Sequence, residues 1–476
     1  MEGDDMKDTV TMKAKTETDA KVNTGAGSFA AAADSNDIIL DGMNRKAMSV
    51  KRIACLLVGL VTLFFMGLIF AWSIFATPIA NSTGWDPQLL AFNFRIVMIC
   101  QAVGCLASSM IQRQCNGRPR VPIFIGGALV LIGFISVGAL SRLGIVSVFV
   151  FYGGFAAFGA GIAFNAILTT VNLWFPDRVG VVSGLQMFAF GVASLVLGVQ
   201  IDGLMNAIGW QTVLAGLGIL IFALNVVASF VIKASPAGID EVFRGKAASA
   251  KAESDDGQNA AAKNPHFLAV FGVSKKSFGI PDMLKTPVFW LGLAWFVCVA
   301  SIGLTLMGES RQDALALGTE ATLATLIVGM ISLFNGGASI VYGFLLDRFG
   351  LINHLRLTTG VSVAGICLVT AACFAQSSPL FIFGALVVAV GYGGLPVFST
   401  TFTLNRYGRA HYAENCAVGT AFLVPASLAS MILAPIFSGF GGLAFMYAGF
   451  VGVILVGIIL LLAFSRRYRK DMIDLV

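Results

Sequence analysis

Long apolar runs alternate with short polar steps along most of the chain. Twelve such runs can be counted, at about 53–77, 87–111, 121–140, 145–170, 179–200 and 210–232, then 288–307, 319–346, 355–375, 379–402, 413–436 and 443–465. A helix of ~20 mostly apolar residues crosses the ~30 Å of a bilayer's hydrocarbon. Only helices and closed barrels satisfy their own backbone in lipid. The pattern therefore predicts an all-α membrane protein, with twelve transmembrane helices in two pseudo-symmetric six-helix bundles. The polar steps are short: Asn81–Asp86, Arg113–Arg120, a turn near Asp202, and an outer loop carrying Glu309, Arg311 and Asp313. Residues 233–287 are the exception. Structureless loops above ~15 residues are unusual inside a compact unit, so this stretch is expected to be a cytoplasmic linker.

The expected organisation is a disordered cytoplasmic tail over 1–52, a first bundle at 53–232, the linker at 233–287, a second bundle at 288–465 and a short tail at 466–476. The opening residues lack the apolar core of a signal peptide. The two bundles have nearly equal lengths and share a register. Phe158-Gly159-Ala160-Gly161 in helix four mirrors Val390-Gly391-Tyr392-Gly393 in helix ten, and Gly117 mirrors Gly350. Such repeats mark transporters whose binding site lies between the repeats, near the bilayer midplane.

Composition agrees with this reading. The chain is 57% hydrophobic and 12% charged, against about 25% charged in soluble domains. The net charge of +6 reports topology. With both termini cytoplasmic, only Arg142 and Arg311 fall outside and Arg95 falls within a span; the other basic residues lie inside, as the positive-inside rule asks. The expected location is the cell membrane, with the bilayer itself as partner. No basic stripe interleaved with aromatics points to nucleic acid. The eight cysteines show no CxxC and no Cys/His ligand spacing, so they read as small hydrophobes. No metal, cofactor or disulfide framework is expected. HExxH, GxSxG and P-loop motifs are absent, so an enzyme is not expected. His266, His354 and His411 are expected in solvated loops.

Between the eighth and ninth runs stands Gly343-Phe344-Leu345-Leu346-Asp347-Arg348-Phe349-Gly350. It resembles the loop signature of the major facilitator superfamily. Further stretches resemble the oxalate–formate antiporter family within it, which is related to the monocarboxylate transporters. They are Gly67-x-x-Phe70-x-Trp72-x-x-Phe75-x-x-Pro78, Trp174-Phe175-Pro176-Asp177-Arg178 with Ser183-Gly184, Met283-Leu284-Lys285-Thr286-Pro287, and Gly391-Tyr392-Gly393-Gly394. The resemblance spans about 53–465. It implies exchange or uptake of a small carboxylate by alternating access, in a chain expected to work as a monomer. It also implies that aromatics of helices one, four and ten line the cavity. Two departures stand out. The family's basic residues of helices eight and eleven are replaced here by Ser339 and Ser427.

The candidate cavity wall is Trp72, Arg95, Asn335, Ser339, Tyr392 and Ser427. A basic residue inside the bilayer costs at least ~2.5–3.5 kcal/mol, so it faces a cavity or a partner. Arg95 is therefore expected to anchor a substrate carboxylate, or else to pair with Glu309 or Asp313. Asp177, Arg178, Asp347 and Arg348 are expected at a cytoplasmic gate. Acids stand only near helix ends, at Asp202, Glu309, Asp313 and Glu414. The lack of a membrane-buried acid favours exchange or facilitated diffusion. Loss of both family cations keeps open a neutral or zwitterionic solute. A non-transporting sensor would need a folded signalling domain, for which 233–287 is too short and polar.

Overall fold

The computed structural model describes residues 45–70, 72–236, 239, 242, 243, 274 and 276–473. The expected tail over most of 1–52, the middle of the linker and His266 lie outside the described residues. Among the described residues, twelve helices are long and apolar enough to cross a membrane.

Helix one is Arg45–Met66, a 3-10 turn Gly67–Phe70 and Trp72–Thr83. Helix two is Pro87–Gln114 and helix three Arg120–Ala139. Helix four begins as a π-helix, Val148–Ala156, and continues as Ala157–Trp174. Helices five and six are Val179–Ile208 and Trp210–Val231. After a short helix Ile280–Leu284 come helix seven, Pro287–Ala316, helix eight, Ala321–Phe349, and helix nine, Leu351–Ala375. Helix ten is split into Ser378–Tyr392 and Gly394–Tyr407, and helix eleven into Tyr412–Thr420 and Leu423–Ser438. Helix twelve is Leu443–Ile473.

Several expected boundaries move. Helix five runs past Asp202 and stops at Gly209, whose φ of 85° only glycine adopts without strain. Helix seven runs through Glu309, Arg311 and Asp313, which are not in a loop. Helix nine starts at Leu351, leaving Gly350 alone, at φ 79°, as the turn after helix eight. Helix twelve carries the basic residues Arg466–Lys470 on a helical extension. The cause is common to all four. Apolar runs report hydrocarbon, whereas helices continue into polar surroundings until a terminator stops them. At 1.5 Å per residue helix seven is ~45 Å long, well beyond the hydrocarbon thickness.

One apolar core gathers residues from Met48 to Phe243, and two others gather residues from Met283 to Met472. Leu404, Tyr412, Cys416 and Ala417 cross over to join the first. The linker is not wholly structureless. Trp174 donates to the Lys233 carbonyl at 2.7 Å, and Arg52 lies over Phe243 at 4.1 Å. At its other end Phe278 N–H donates to Tyr407 O at 2.9 Å, and Asn415 donates to Phe278 O at 2.9 Å.

Candidate functional site

The first six helices meet the last six most closely where helix five crosses helix eight. Gly180 and Gly184 are four residues apart on helix five, as are Ser339 and Gly343 on helix eight, so each pair shares one helix face. A Cβ at Gly180, Gly184 or Gly343 would strike the opposite backbone. Small residues permit this approach, as at other membrane helix crossings. Asp347 uses it. Its Oδ1 accepts from Gly180 N–H at 2.9 Å and its Oδ2 from Val181 N–H at 2.8 Å. These donors are among the first four of helix five, which have no partner in their own helix. They also carry the positive end of its dipole. The signature aspartate thus caps a helix of the other six.

A second set of contacts joins helices two, four and five to the start of helix eleven. Gln186 Nε2 donates to Asn172 Oδ1 at 3.0 Å, and Asn172 Nδ2 donates to the Tyr412 hydroxyl at 2.9 Å. Asn165 Nδ2 donates to Ala413 O at 3.4 Å. Arg409 Nη2 donates to Leu173 O at 3.0 Å and to Ser235 Oγ at 3.3 Å. Arg113 stands 3.9 Å from Glu414. Asn165, Asn172, Gln186 and Tyr412 are buried. All these groups lie in the half of their helices nearer the basic end of the bundle, the end that carries Arg52, Arg348 and Arg409.

The expected cavity residues separate into two groups. Trp72 does not line an opening. It is 1% exposed, its Nε1 donates to Leu90 O at 2.6 Å, and its ring lies 4.5 Å from Tyr152. The amphipathic indole satisfies its N–H inside the first core, which makes it a packing residue. Ser339 is also buried and donates to Gly393 O at 2.8 Å. Asn335 and Tyr392 are half-buried on either side of that bond, and Asn335 Oδ1 has no hydrogen-bond partner. Ser427 is half-buried and donates to Leu423 O at 2.8 Å. Arg95 stands on helix two, and its side chain lies outside the described residues.

The expected gate residues also divide. Asp347 reaches across to the other six helices, whereas Asp177 pairs within the first six. Its carboxylate meets Arg52 of helix one at 3.1 Å and Arg178 at 3.8 Å. Arg178 and Arg348 are exposed, the latter lying over Phe349 at 5.6 Å.

His354 is not a solvated loop residue. It is 1% exposed inside helix nine, with Nε2 at 3.0 Å from Gly394 O and its ring edge-on to Tyr342 at 5.3 Å. Pro396 has no N–H to offer Tyr392 O, which explains the break in helix ten at Gly393. Ser339 and His354 then hold the two carbonyls at that break. Asp313 is likewise buried, 6% exposed, and accepts from the Tyr447 hydroxyl of helix twelve. Sequence spacing signals neither Tyr412, Asn172 nor Arg409, because their partners are hundreds of residues away. Among the described residues, no group of His, Cys, Asp and Glu is placed to hold a metal.

Two sets of six membrane-crossing helices, meeting along a glycine-lined seam closed at one end, define a multi-pass transporter rather than an enzyme. The chain belongs to the Major Facilitator Superfamily, whose sequence model matches residues 57–422. It is 24% identical over 349 residues to the oxalate:formate antiporter of Oxalobacter formigenes, covering 73% of this chain and 76% of that protein. It is 22% identical over 361 residues to the uncharacterized MFS-type transporter YhjX of Escherichia coli (strain K12), covering 75% and 81%. Among solved structures it resembles the proton:xylose symporter XylE, with a TM-score of 0.63, 13% identity and coverage of 88% and 96%. It also resembles the E. coli fucose:proton symporter FucP, with a TM-score of 0.57, 11% identity and coverage of 87% and 98%.

Proposed function

We propose that this chain moves a small organic anion, a monocarboxylate or an exchanged pair of carboxylates, across the cell membrane by alternating access. Its termini lie in the cytoplasm and it works as a monomer. The observation that carries the substrate class is the relationship to the oxalate:formate antiporter. The charge inventory narrows it. Arg95 is the one basic residue in the middle of a predicted span, and a single guanidinium neutralises one carboxylate in a bidentate pair. Ser339 and Ser427 bring no charge, so a dianion would leave one charge uncompensated.

Arg95, Asn335, Tyr392 and Ser427 face the solute in this reading. Asp347, the Asn172–Tyr412 bond and Arg409 are the cytoplasmic gate, which opens as the halves tip. Asp177 and Arg178 support the gate through helix one. Hydroxyls of Ser339 and Ser427 bonded to backbone favour a second reading, a neutral solute.

Counterflow in proteoliposomes separates the two. Labelled formate or oxalate is expected to exchange against unlabelled carboxylate and not against xylose. Arg95→Gln is expected to weaken the apparent affinity for carboxylate at least about tenfold, the loss of one charge-assisted contact. Exchange of xylose, or unchanged carboxylate affinity in Arg95→Gln, would select the neutral solute.

A further inference from the structure

Asp313 is the feature the proposed cycle leaves unused. It lies in the last turn of helix seven, beyond the apolar run at 288–307, yet it is only 6% exposed. Its hydrogen bond comes from the Tyr447 hydroxyl, and among the described residues no basic side chain pairs with it. The immediate neighbours are apolar: Ala314, Leu317 and Cys373 belong to the same core as Tyr447. The titratable groups near it are few. Glu309 and Arg311 are on its own helix, Tyr447 is on helix twelve and Cys373 on helix nine. The outer parts of helices ten and eleven bring no charged side chain there, and Glu320 before helix eight is exposed.

An ionised carboxylate shut in such a place pays several kcal/mol in desolvation without a cation to offset it. A neutral carboxyl does not. The charge state of Asp313 is thus tied to whether the outer ends of helices seven and twelve stay together. Helix seven also reaches Tyr392, which faces the solute in the proposed reading. Gly303 packs directly under the Tyr392 ring, and Thr305 bonds Ser430 of helix eleven at 2.7 Å. Gly303 is ten residues from Asp313, ~15 Å along the same helix. A shift of helix seven produced by solute at Tyr392 therefore arrives at Asp313.

We propose that Asp313 is a proton-binding site of the transport cycle, holding a proton while shut against Tyr447 and releasing it when the outer end of helix seven opens to water. This rests on the transport reading above and adds the coupling ion to it. The step is a proton transfer alone: the O–H bond of the carboxyl breaks, water takes the proton, and the electron pair stays on the carboxylate.

The test is infrared difference spectroscopy of the purified full chain during a pH titration, paired with oxalate and formate counterflow over the same range. The wild type is expected to show the carbonyl band of a protonated carboxyl. Asp313→Asn, which keeps an acceptor for Tyr447, should lose it. Tyr447→Phe should keep the band and shift it. In counterflow, Asp313→Asn is expected to flatten the pH profile, whereas Tyr447→Phe should keep a pH dependence with a shifted midpoint, a difference that lost folding would not produce. A wild type without the band, or an Asp313→Asn profile that still follows the wild type, overturns the proposal. If neither carboxylate exchanges at any pH, the transport reading fails and the coupling role with it, and the band then decides only whether Asp313 binds a proton.

Discussion

Asp347 shows how one residue can be legible in sequence while its partner is not. The run Gly343 to Gly350 identifies it as part of a loop signature. Nothing in the spacing says that its carboxylate ends on the N–H groups of Gly180 and Val181. Hydrogen bonds involving a charged group contribute about 1.5–3 kcal/mol. Asp347→Ala removes two, so the closed state should lose roughly tenfold or more in population relative to the open one. A raised rate of alkylation at a cysteine introduced at Asn165, buried at the seam, would register this, and an unchanged rate would count against the latch. Trp72 shows the opposite case. The family resemblance places it at the cavity, but its indole N–H is as well served by Leu90 O as by a solute. Side-chain type alone does not separate those fates. Asp313 and His354 were misjudged for one reason: charged and imidazole groups near the ends of apolar runs read as solvated, and only packing shows them covered.

Among the elements, all twelve membrane helices were legible, because an apolar run of span length has few alternatives in lipid. Their ends and their breaks were not. Terminators such as Gly209, at positive φ, act outside the hydrophobic pattern. The 3-10 turn Gly67–Phe70 and the π-helix Val148–Ala156 leave no periodic trace, though Tyr152 of the latter donates to Ile69 O of the former at 3.1 Å. The break in helix ten is readable in part, from Pro396. Its supports are not, since Ser339 and His354 come from other helices. His354→Leu should remove the side-chain donor that Gly394 O has beyond its own helix, costing about 1 kcal/mol and lowering the melting temperature in detergent. His354→Gln, whose amide reaches nearly as far as Nε2, should restore most of the loss. Equal melting temperatures for the two variants would show that the bond contributes nothing to stability.

At the scale of the molecule, the mirrored glycines of helices four and ten and the matched lengths of the two halves announced a repeat. The closed seam could not be read, because it joins residues such as Asn165 and Ala413 across 248 positions of chain. It is also the part that must come apart if a solute is to pass. The most direct test joins those two positions permanently. In a background without native cysteines, Asn165→Cys with Ala413→Cys should form a disulfide under mild oxidation. Carboxylate counterflow in proteoliposomes should then stop and return on reduction, with each single variant unaffected by either treatment. Counterflow that continues at full rate with the disulfide formed would contradict alternating access through this seam.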